Sequence, residues 1–211
     1  MPTRVSSLPT DKRGFPVPWV SCWHNGEDQE PMRVVTVNTH LMRVENLPAA
    51  DCLHVAGVGV PDLGSLCPGN QLKGMLDRLC DVCGDEIEPG PIFFLGAYNV
   101  LGGAVGFREC GVHRECALYA AQVCPGLITA TPRKQVSVFE STDYDLQPEF
   151  IYMDGDELTT TKFASFDDPW IMARLALNQR MVLLAAYARP HNPTITPLSR
   201  WVSLQLNGST V

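Results

Sequence analysis

The stretch Cys80-Asp-Val-Cys83-Gly84, followed later by His113-Arg-Glu-Cys116, decides how the centre of this chain folds. Each pair has two residues between its Cys or His members, and 29 residues separate the two pairs. Zinc prefers four such ligands in a tetrahedron, and a Cys-x-x-Cys turn places two thiolates on one ion. Gly84 lets the backbone fold beneath the sulfurs, because glycine adopts left-handed conformations readily. We therefore predict one structural zinc ion per chain, bound by Cys80, Cys83, His113 and Cys116.

The second pair leads into a helix-forming run, residues 114–123, which Cys124-Pro125-Gly126 ends. The partial positive charge of a helix N-terminus favours a thiolate at Cys116. Cys110 is an alternative fourth ligand, but five residues separate it from Cys116, so His113 is the better match. Four protein ligands leave no position for an activated water, which favours a structural ion over a catalytic one. A knuckle, a strand, a loop and a ligand-bearing helix, in this order, are typical of a treble-clef zinc finger.

Two of these stretches resemble a known family. Arg78-Leu-Cys-Asp-Val-Cys-Gly84 and His113-Arg-Glu-Cys-Ala-Leu-Tyr-Ala-Ala-Gln-Val-Cys-Pro-Gly-Leu127 are similar to motifs of uncharacterised small zinc-finger proteins of bacteriophages and bacteria. The opening Gly14-Phe-Pro-Val-Pro-Trp-Val20 resembles theirs as well, whereas residues 45–70 look like an insertion. The resemblance implies the same zinc ligands and a phage or prophage origin. It implies no activity, because the family has none established.

Composition and periodicity predict an α+β fold. The chain has 211 residues, 45% of them hydrophobic, which is enough for one domain with its own core. We predict a flexible lead-in over residues 1–14, a single domain over 15–188 with its zinc-finger core at 78–127, and a tail over 189–211. Short antiparallel strands are predicted at 15–23, 32–38, 91–95, 136–139, 149–153 and 160–166. Helices are predicted at 71–79, at 114–123 and, as a C-terminal helix, at 167–187.

The net charge of −7 is unevenly distributed along the chain. Residues 140–168 hold nine acidic residues and one lysine, a net charge of −8, so the remainder is close to neutral. This segment is a candidate surface for a basic partner, although a solvated face is the plainer interpretation. The candidate acidic residues are Asp143, Asp145, Asp154, Asp156 and Glu157.

These features predict a non-enzymatic interaction module that acts on a host or phage protein, and the resemblance implies that it is phage-encoded. The first alternative is a nucleic-acid-binding regulator that uses the zinc-finger helix, which would need a basic face to neutralise phosphates. The candidate nucleic-acid contacts are Lys73, Arg78, Arg108, Arg114, Arg133 and Lys134. The second alternative is a metal-dependent nuclease. It is weaker because His113 already serves as a ligand and no second histidine lies near it in sequence.

The N-terminus lacks the apolar region of a signal peptide, and no apolar run is long enough to span a membrane. We therefore predict a protein of the bacterial cytoplasm without a membrane partner. In that reducing compartment, eight cysteines are better explained as metal ligands and core residues than as disulfides. Two Cys-x-His pairs, Cys22/His24 and Cys52/His54, offer a second metal site. Buried cysteines beside surface histidines are the plainer interpretation of both.

Overall fold

The computed structural model describes residues 1–24, 33–37, 47–96, 98–101, 104–128, 136–154, 157–163 and 181–207. The helices in this part of the chain are α1 (Thr3–Ser6), α2 (Pro68–Asp77), α3 (Arg114–Val123), α4 (Pro125–Ile128) and α5 (Leu198–Asn207). The strands are β1 (Ser21–His24), β2 (Arg33–Val37), β3 (Leu47–Asp51), β4 (Val60–Leu66), β5 (Ile92–Phe94), β6 (Tyr98–Leu101), β7 (Ala104–Phe107), β8 (Ser137–Ser141), β9 (Tyr144–Asp154), β10 (Glu157–Phe163), β11 (Met181–Pro190) and β12 (Thr194–Pro197). Helices mixed with mainly antiparallel strands confirm the predicted α+β class.

The largest layer is a seven-stranded sheet with the order β10-β9-β11-β3-β2, to which the β6-β7 hairpin adds through β11. Strand β11 is central, because it pairs antiparallel with β9 and β7 and parallel with β3. Its Ala186 and Ala188 are fully buried. Helix α2 packs on this sheet, where Gln71 Nε2 donates a hydrogen bond to the Ala186 carbonyl at 3.0 Å.

Two smaller sheets complete the architecture. One has the order β12-β8-β5, and the other is a two-stranded ribbon of β1 and β4. All three residues of β5 are buried, so this short strand lies inside the molecule. Helix α5 covers the three-stranded sheet, with the Trp201 ring centroid 5.6 Å from that of Phe93.

An aromatic cluster joins the two larger sheets. The ring centroids of Phe94 and Phe107 are 5.5 Å apart, and Phe107 lies 5.0 Å from Phe139 in an edge-on arrangement. Tyr144 meets Phe94 edge-on at 5.7 Å, while its hydroxyl donates to the Met75 carbonyl at 3.0 Å. Such pairs contribute about 0.5–1.5 kcal/mol each beyond the burial of their area. The cluster therefore holds α2 and both sheets in one core.

The predicted helix over 167–187 is wrong where the structure describes it, since residues 181–187 belong to β11. Residues 167–180 lie outside the described part of the chain. The apolar run 181–187 carries no polar face, so a buried strand and a buried helix fit it equally well. The run lies between β9 and β3, and it forms a strand there because a central strand of a covered sheet is apolar on both faces.

The ends of the chain also differ from expectation. Residues 194–207 form β12 and α5 instead of an irregular tail, and Leu198 and Trp201 of α5 are buried at helical spacing. In the predicted lead-in, α1 places Val5 in the core. Residues 45–70 had no predicted structure, and from residue 47 they form β3, β4 and the start of α2. The helix predicted over 114–123 matches α3 in full.

Candidate metal centre

A tight turn holds the first ligand pair. The Cys80 N–H donates to the Asp85 carbonyl at 2.8 Å, and the Gly84 N–H donates to the Cys80 carbonyl at 2.8 Å. Gly84 has φ +79°, a conformation that costs a residue with a Cβ about 1–2 kcal/mol. Close packing also requires glycine here, since a Cβ on Gly84 would lie 2.8 Å from the Cγ of Trp19. The turn therefore points Cys80 and Cys83 inward together.

The second pair is positioned by a strand and a helix. Phe93 in β5 and Val112 exchange two backbone hydrogen bonds, of 3.1 and 2.9 Å. This bridge places His113 at the N-cap of α3, where its carbonyl accepts from the Ala117 N–H at 2.8 Å. Cys116 follows in the first turn of the helix. Two ligand pairs that are separated by 29 residues in the sequence are thus brought to one point by β5 and α3.

The four predicted ligands meet in one buried group. The Sγ atoms of Cys80, Cys83 and Cys116 and a ring nitrogen of His113 lie within 4.8 Å of one another. The Nδ1 of His113 is 3.5 Å from the Sγ of Cys83 and 3.9 Å from that of Cys116. At 3.0 Å, the Nε2 of His113 faces the Glu86 carbonyl, to which it can only donate. One hydrogen is therefore on Nε2, and Nδ1, which faces the sulfurs, is the nitrogen that could bind a metal after losing its proton.

Protonation in this group follows from the crowding of sulfurs. Hydrogen bonds from the Cys116 and Cys80 thiols lower the pKa of Cys83 far below its usual range, and the same contacts raise the pKa of Cys116. Hydrogen bonds to Cys80 and Cys83 raise the pKa of His113 to about 11. The Cys83 thiolate is thus balanced by a protonated His113. Metal binding would displace these protons, because metal ligands are thiolates and neutral imidazoles.

Cys110, the alternative ligand, lies outside this group. Its Sγ donates to the Gln71 carbonyl at 3.2 Å, and burial raises the pKa of its thiol well above the usual value. It packs on Gly74 of α2, where an added Cβ would approach the Cys110 sulfur to 2.6 Å. Cys110 is therefore a packing residue between α2 and the segment before His113.

Two of the basic residues proposed for nucleic acid face carboxylates of the same chain. Arg78 lies 2.7 Å from Asp143, and Arg108 lies 2.9 Å from the buried Glu149. Arg78 also stacks over the Tyr144 ring at 5.1 Å. Much of the positive charge near the metal centre is thus compensated within the fold.

The remaining basic candidates have other surroundings. Arg114 lies over the Phe93 ring at 5.6 Å, and Lys73 lines a cavity together with Asp51 and Asp77. Arg133 and Lys134 fall outside the described residues.

The acidic candidates lie at the two ends of β9. Asp143 precedes this strand and Asp145 is its second residue, and His191 lies 3.9 Å from Asp143 and 2.9 Å from Asp145. Asp154 ends β9 and Glu157 begins β10. Asp156 lies outside the described residues. Part of the predicted acidic surface is therefore engaged with Arg78 and His191 of the same chain.

The structure reveals a cavity beside the metal centre that sequence reasoning missed. Its volume is about 190 Å³, and most of its lining is apolar. Two walls come from residues 15–20 and from α3, which are joined by the Tyr119 hydroxyl donating to the Pro16 carbonyl at 2.9 Å. The first wall is attached to the Cys80–Cys83 turn, because the Trp19 N–H donates to the Val82 carbonyl at 2.9 Å. The cavity is thus built directly on the metal centre.

Three carboxyl groups line this apolar cavity, and one of them, Asp11, is paired with Arg13 at 2.8 Å. Asp81 is 5% exposed, and neither its Oδ1 nor the Oε2 of Glu109 has a hydrogen-bond partner among the described residues. Burial raises the pKa of both groups to about 7. Perturbed carboxyl groups in a cavity are a recurring mark of functional sites. The signal available in the sequence was an aspartate between two ligands, which by itself does not reveal a cavity.

Of the two Cys-x-His pairs, Cys52 and His54 lie in one group of possible metal ligands, whereas Cys22 and His24 do not share a group. Cys22 joins Cys52 and His54 in a second group whose ligand atoms lie within 4.8 Å of one another. His24 instead directs its Nε2 to Asp62 at 3.5 Å.

Comparison with models of known protein families, with curated proteins and with solved structures finds no match to this chain. The resemblance to phage and bacterial zinc-finger proteins therefore stays a hypothesis. Among the described residues, no helix combines the length and apolar character needed to cross a bilayer.

Proposed function

We propose that the chain is a zinc-stabilised protein-interaction domain in which the ion at Cys80, Cys83, His113 and Cys116 is structural. A tetrahedral ion with four protein ligands has no open position for water or substrate. The order of parts supports a treble-clef arrangement: a Cys-x-x-Cys turn, then β5 paired with the segment before His113, then α3 carrying Cys116. Such an ion acts on function through the surfaces that it holds in place.

The cavity beside the metal centre is the observation that carries the proposed interaction. Pockets that bury a whole drug-sized ligand measure roughly 300–1,000 Å³, so about 190 Å³ suits a single side chain. Two residues of its lining, Phe15 and Leu63, are 46% and 41% exposed. Exposed apolar residues beside a concave site favour contact with a partner surface over contact with water.

The carboxyl groups of the cavity indicate that a positively charged side chain would occupy it. Carboxyl oxygens buried without a hydrogen-bond partner cost free energy, which a positively charged donor would offset. A lysine side chain matches both the apolar walls and the carboxyl groups of the cavity. Its aliphatic stem can lie on the walls while its ammonium group reaches Asp81 and Glu109. The proposed partner is therefore a protein that presents a lysine within an apolar surface.

Binding of nucleic acid is less well supported. Phosphates would have to compete with Asp143 for Arg78 and with Glu149 for Arg108. Salt-dependent gel retardation that charge reversal at Arg114 and Lys134 abolishes would favour this alternative. Mg²⁺-stimulated cleavage of plasmid DNA would favour the nuclease.

The proposed pocket is tested with a lysine analogue by two-dimensional amide NMR. N-acetyl-lysine methylamide should shift the amide signals of Gly96 and Tyr119, and the uncharged norleucine analogue should bind far more weakly. Glu109→Gln should abolish the lysine effect, whereas the surface variant Asp145→Asn should keep it. Equal shifts with both analogues, or an unchanged response in Glu109→Gln, would contradict a lysine pocket.

The partner is then sought with the same variants. A protein captured from the host by the wild-type chain and by Asp145→Asn, but released by the lysine analogue and lost in Glu109→Gln, would be the expected partner. Capture that is equal in all variants would place the interaction on another surface.

A further inference from the structure

The second cysteine–histidine group lies where β1, the segment after β3 and the start of α2 converge. Cys22 is in β1, and Cys52 and His54 follow β3 directly. One ligand atom from each of these three residues lies within 4.8 Å of the other two. The Sγ atoms of Cys22 and Cys52 are 3.6 Å apart, which is a hydrogen-bond distance and not a covalent one.

A fourth sulfur lies beside one of these three ligands. The thiols of Cys52 and Cys67 are in contact, and Cys67 is 2% exposed. The Cys67 N–H donates to the Val20 carbonyl at 2.8 Å, and its neighbour Leu66 pairs with Ser21. These bonds place Cys67 at the end of the β1–β4 ribbon, one residue beyond the Leu66–Ser21 pair.

Cys67 lies at the start of a helix. It is the N-cap residue of α2, and its carbonyl accepts a hydrogen bond from the Gln71 N–H at 2.8 Å. Cys116 of the first centre likewise lies in the first turn of a helix. Backbone N–H groups at a helix N-terminus stabilise the negative charge that a metal-bound thiolate carries.

The approach of the chain segments also points to a built site. Gly69 packs so closely on Asp51 that a Cβ at position 69 would overlap the Asp51 carboxylate. This contact brings the first turn of α2 against the residue that precedes Cys52. The four side chains come from three separate segments, and the three that carry sulfur are no more than half-exposed.

We propose that Cys22, Cys52, His54 and Cys67 bind a second zinc ion. Three thiolates and one imidazole are one of the usual ligand sets of structural zinc, and they fill all four positions. The ion would fasten the β1–β4 ribbon and the start of α2 to the end of β3. It would therefore stabilise the region around residues 47–67, which precedes the first centre in the sequence.

Zinc content of the purified chain, measured by native mass spectrometry and elemental analysis, tests this site. The wild-type chain should hold two zinc ions, and Cys52→Ser and Cys67→Ser should each hold one. Cys124→Ser is the matched control, because Cys124 is a half-buried cysteine outside both groups, and it should keep two. A further test replaces zinc by cobalt, whose thiolate absorption should fall in Cys52→Ser and not in Cys124→Ser.

Three results would overturn the second site or separate it from the first. If the wild type held one zinc ion and Cys52→Ser retained it, only the first centre would bind metal. If the wild type held one zinc ion that was lost in Cys52→Ser but kept in Cys116→Ser, the first centre would be refuted and the second supported. If Cys22 and Cys52 reacted with an alkylating reagent only after reduction, they would form a disulfide and not a metal site.

Discussion

Gly84→Ala tests whether the ligand turn depends on close packing as well as on backbone conformation. Gly84 has φ +79°, and a Cβ there would lie 2.8, 3.0 and 3.1 Å from three atoms of the Trp19 ring system. Optimal carbon contacts are about 3.5–4.0 Å, and the other end of the ring is packed on α2, where a Cβ on Gly74 would lie 3.4 Å from the Trp19 Cζ3. The added methyl group therefore meets a ring that cannot simply move aside.

Two costs add up to the expected effect. The left-handed conformation costs about 1–2 kcal/mol for a residue with a Cβ, and overpacking costs about 1–3 kcal/mol. Gly84→Ala should thus lose about 2–5 kcal/mol of unfolding free energy. Gly14→Ala is the matched control, because Gly14 has φ +83° and an added Cβ there would meet nothing within 4 Å. It should lose only the conformational part, about 1–2 kcal/mol.

Urea unfolding at a fixed zinc concentration measures both variants, with unchanged m values as the check of a two-state comparison. A double variant with Trp19→Ala should show a coupling energy of about 1–3 kcal/mol, because removing the ring removes the clash. If Gly84→Ala and Gly14→Ala lose the same free energy, the proposed packing of Trp19 on the ligand turn is refuted.

Three further predictions concern charge and metal. Cys83→Ser should lose the first zinc ion and unfold or aggregate, because metal binding and folding are coupled; a folded variant without that ion, seen by circular dichroism and metal analysis, would contradict this. Glu109 has a pKa raised by burial to about 7, so its ionisation lowers stability as pH rises from 4.5 to 7. Glu109→Gln should therefore gain up to about 3 kcal/mol over wild type above pH 7 and little below pH 4.5 in thermal unfolding, and an equal gain at both would refute it. Arg108→Ala should cost about 1–3 kcal/mol by leaving the buried Glu149 without its partner, and adding Glu149→Gln should recover most of that loss.

Local signals explain what could be predicted from the sequence. The spacing of Cys80 and Cys83 and the glycine after them describe one turn, and such a turn needs no distant contact to be recognised. Helix α3 was predicted in full because Pro125, two positions after the last helical residue Val123, cannot continue a helix. The four side chains of the first centre are brought together in the structure as the spacing indicated.

Non-local contacts explain what could not be predicted. The apolar run of β11 has no period that separates strand from helix, and only its neighbours β9 and β3 decide between them. In the second group, Cys67 belongs to no Cys-x-His pair and reaches Cys52 only through the packing of α2 on the end of β3. The cavity likewise joins Asp81 to Glu109, which are far apart in the sequence and meet only in the folded chain.

The central position of β11 has a consequence for how the chain is made. This strand lies in the middle of the large sheet, yet it is the last of that sheet's strands to leave the ribosome. The cysteines and histidines of both groups precede it in the sequence. During synthesis, metal ligands are therefore complete while β3, β7 and β9 still lack the strand that joins them. Metal capture by the nascent chain would shield these sulfurs from oxidation until residues 181–190 emerge and close the sheet.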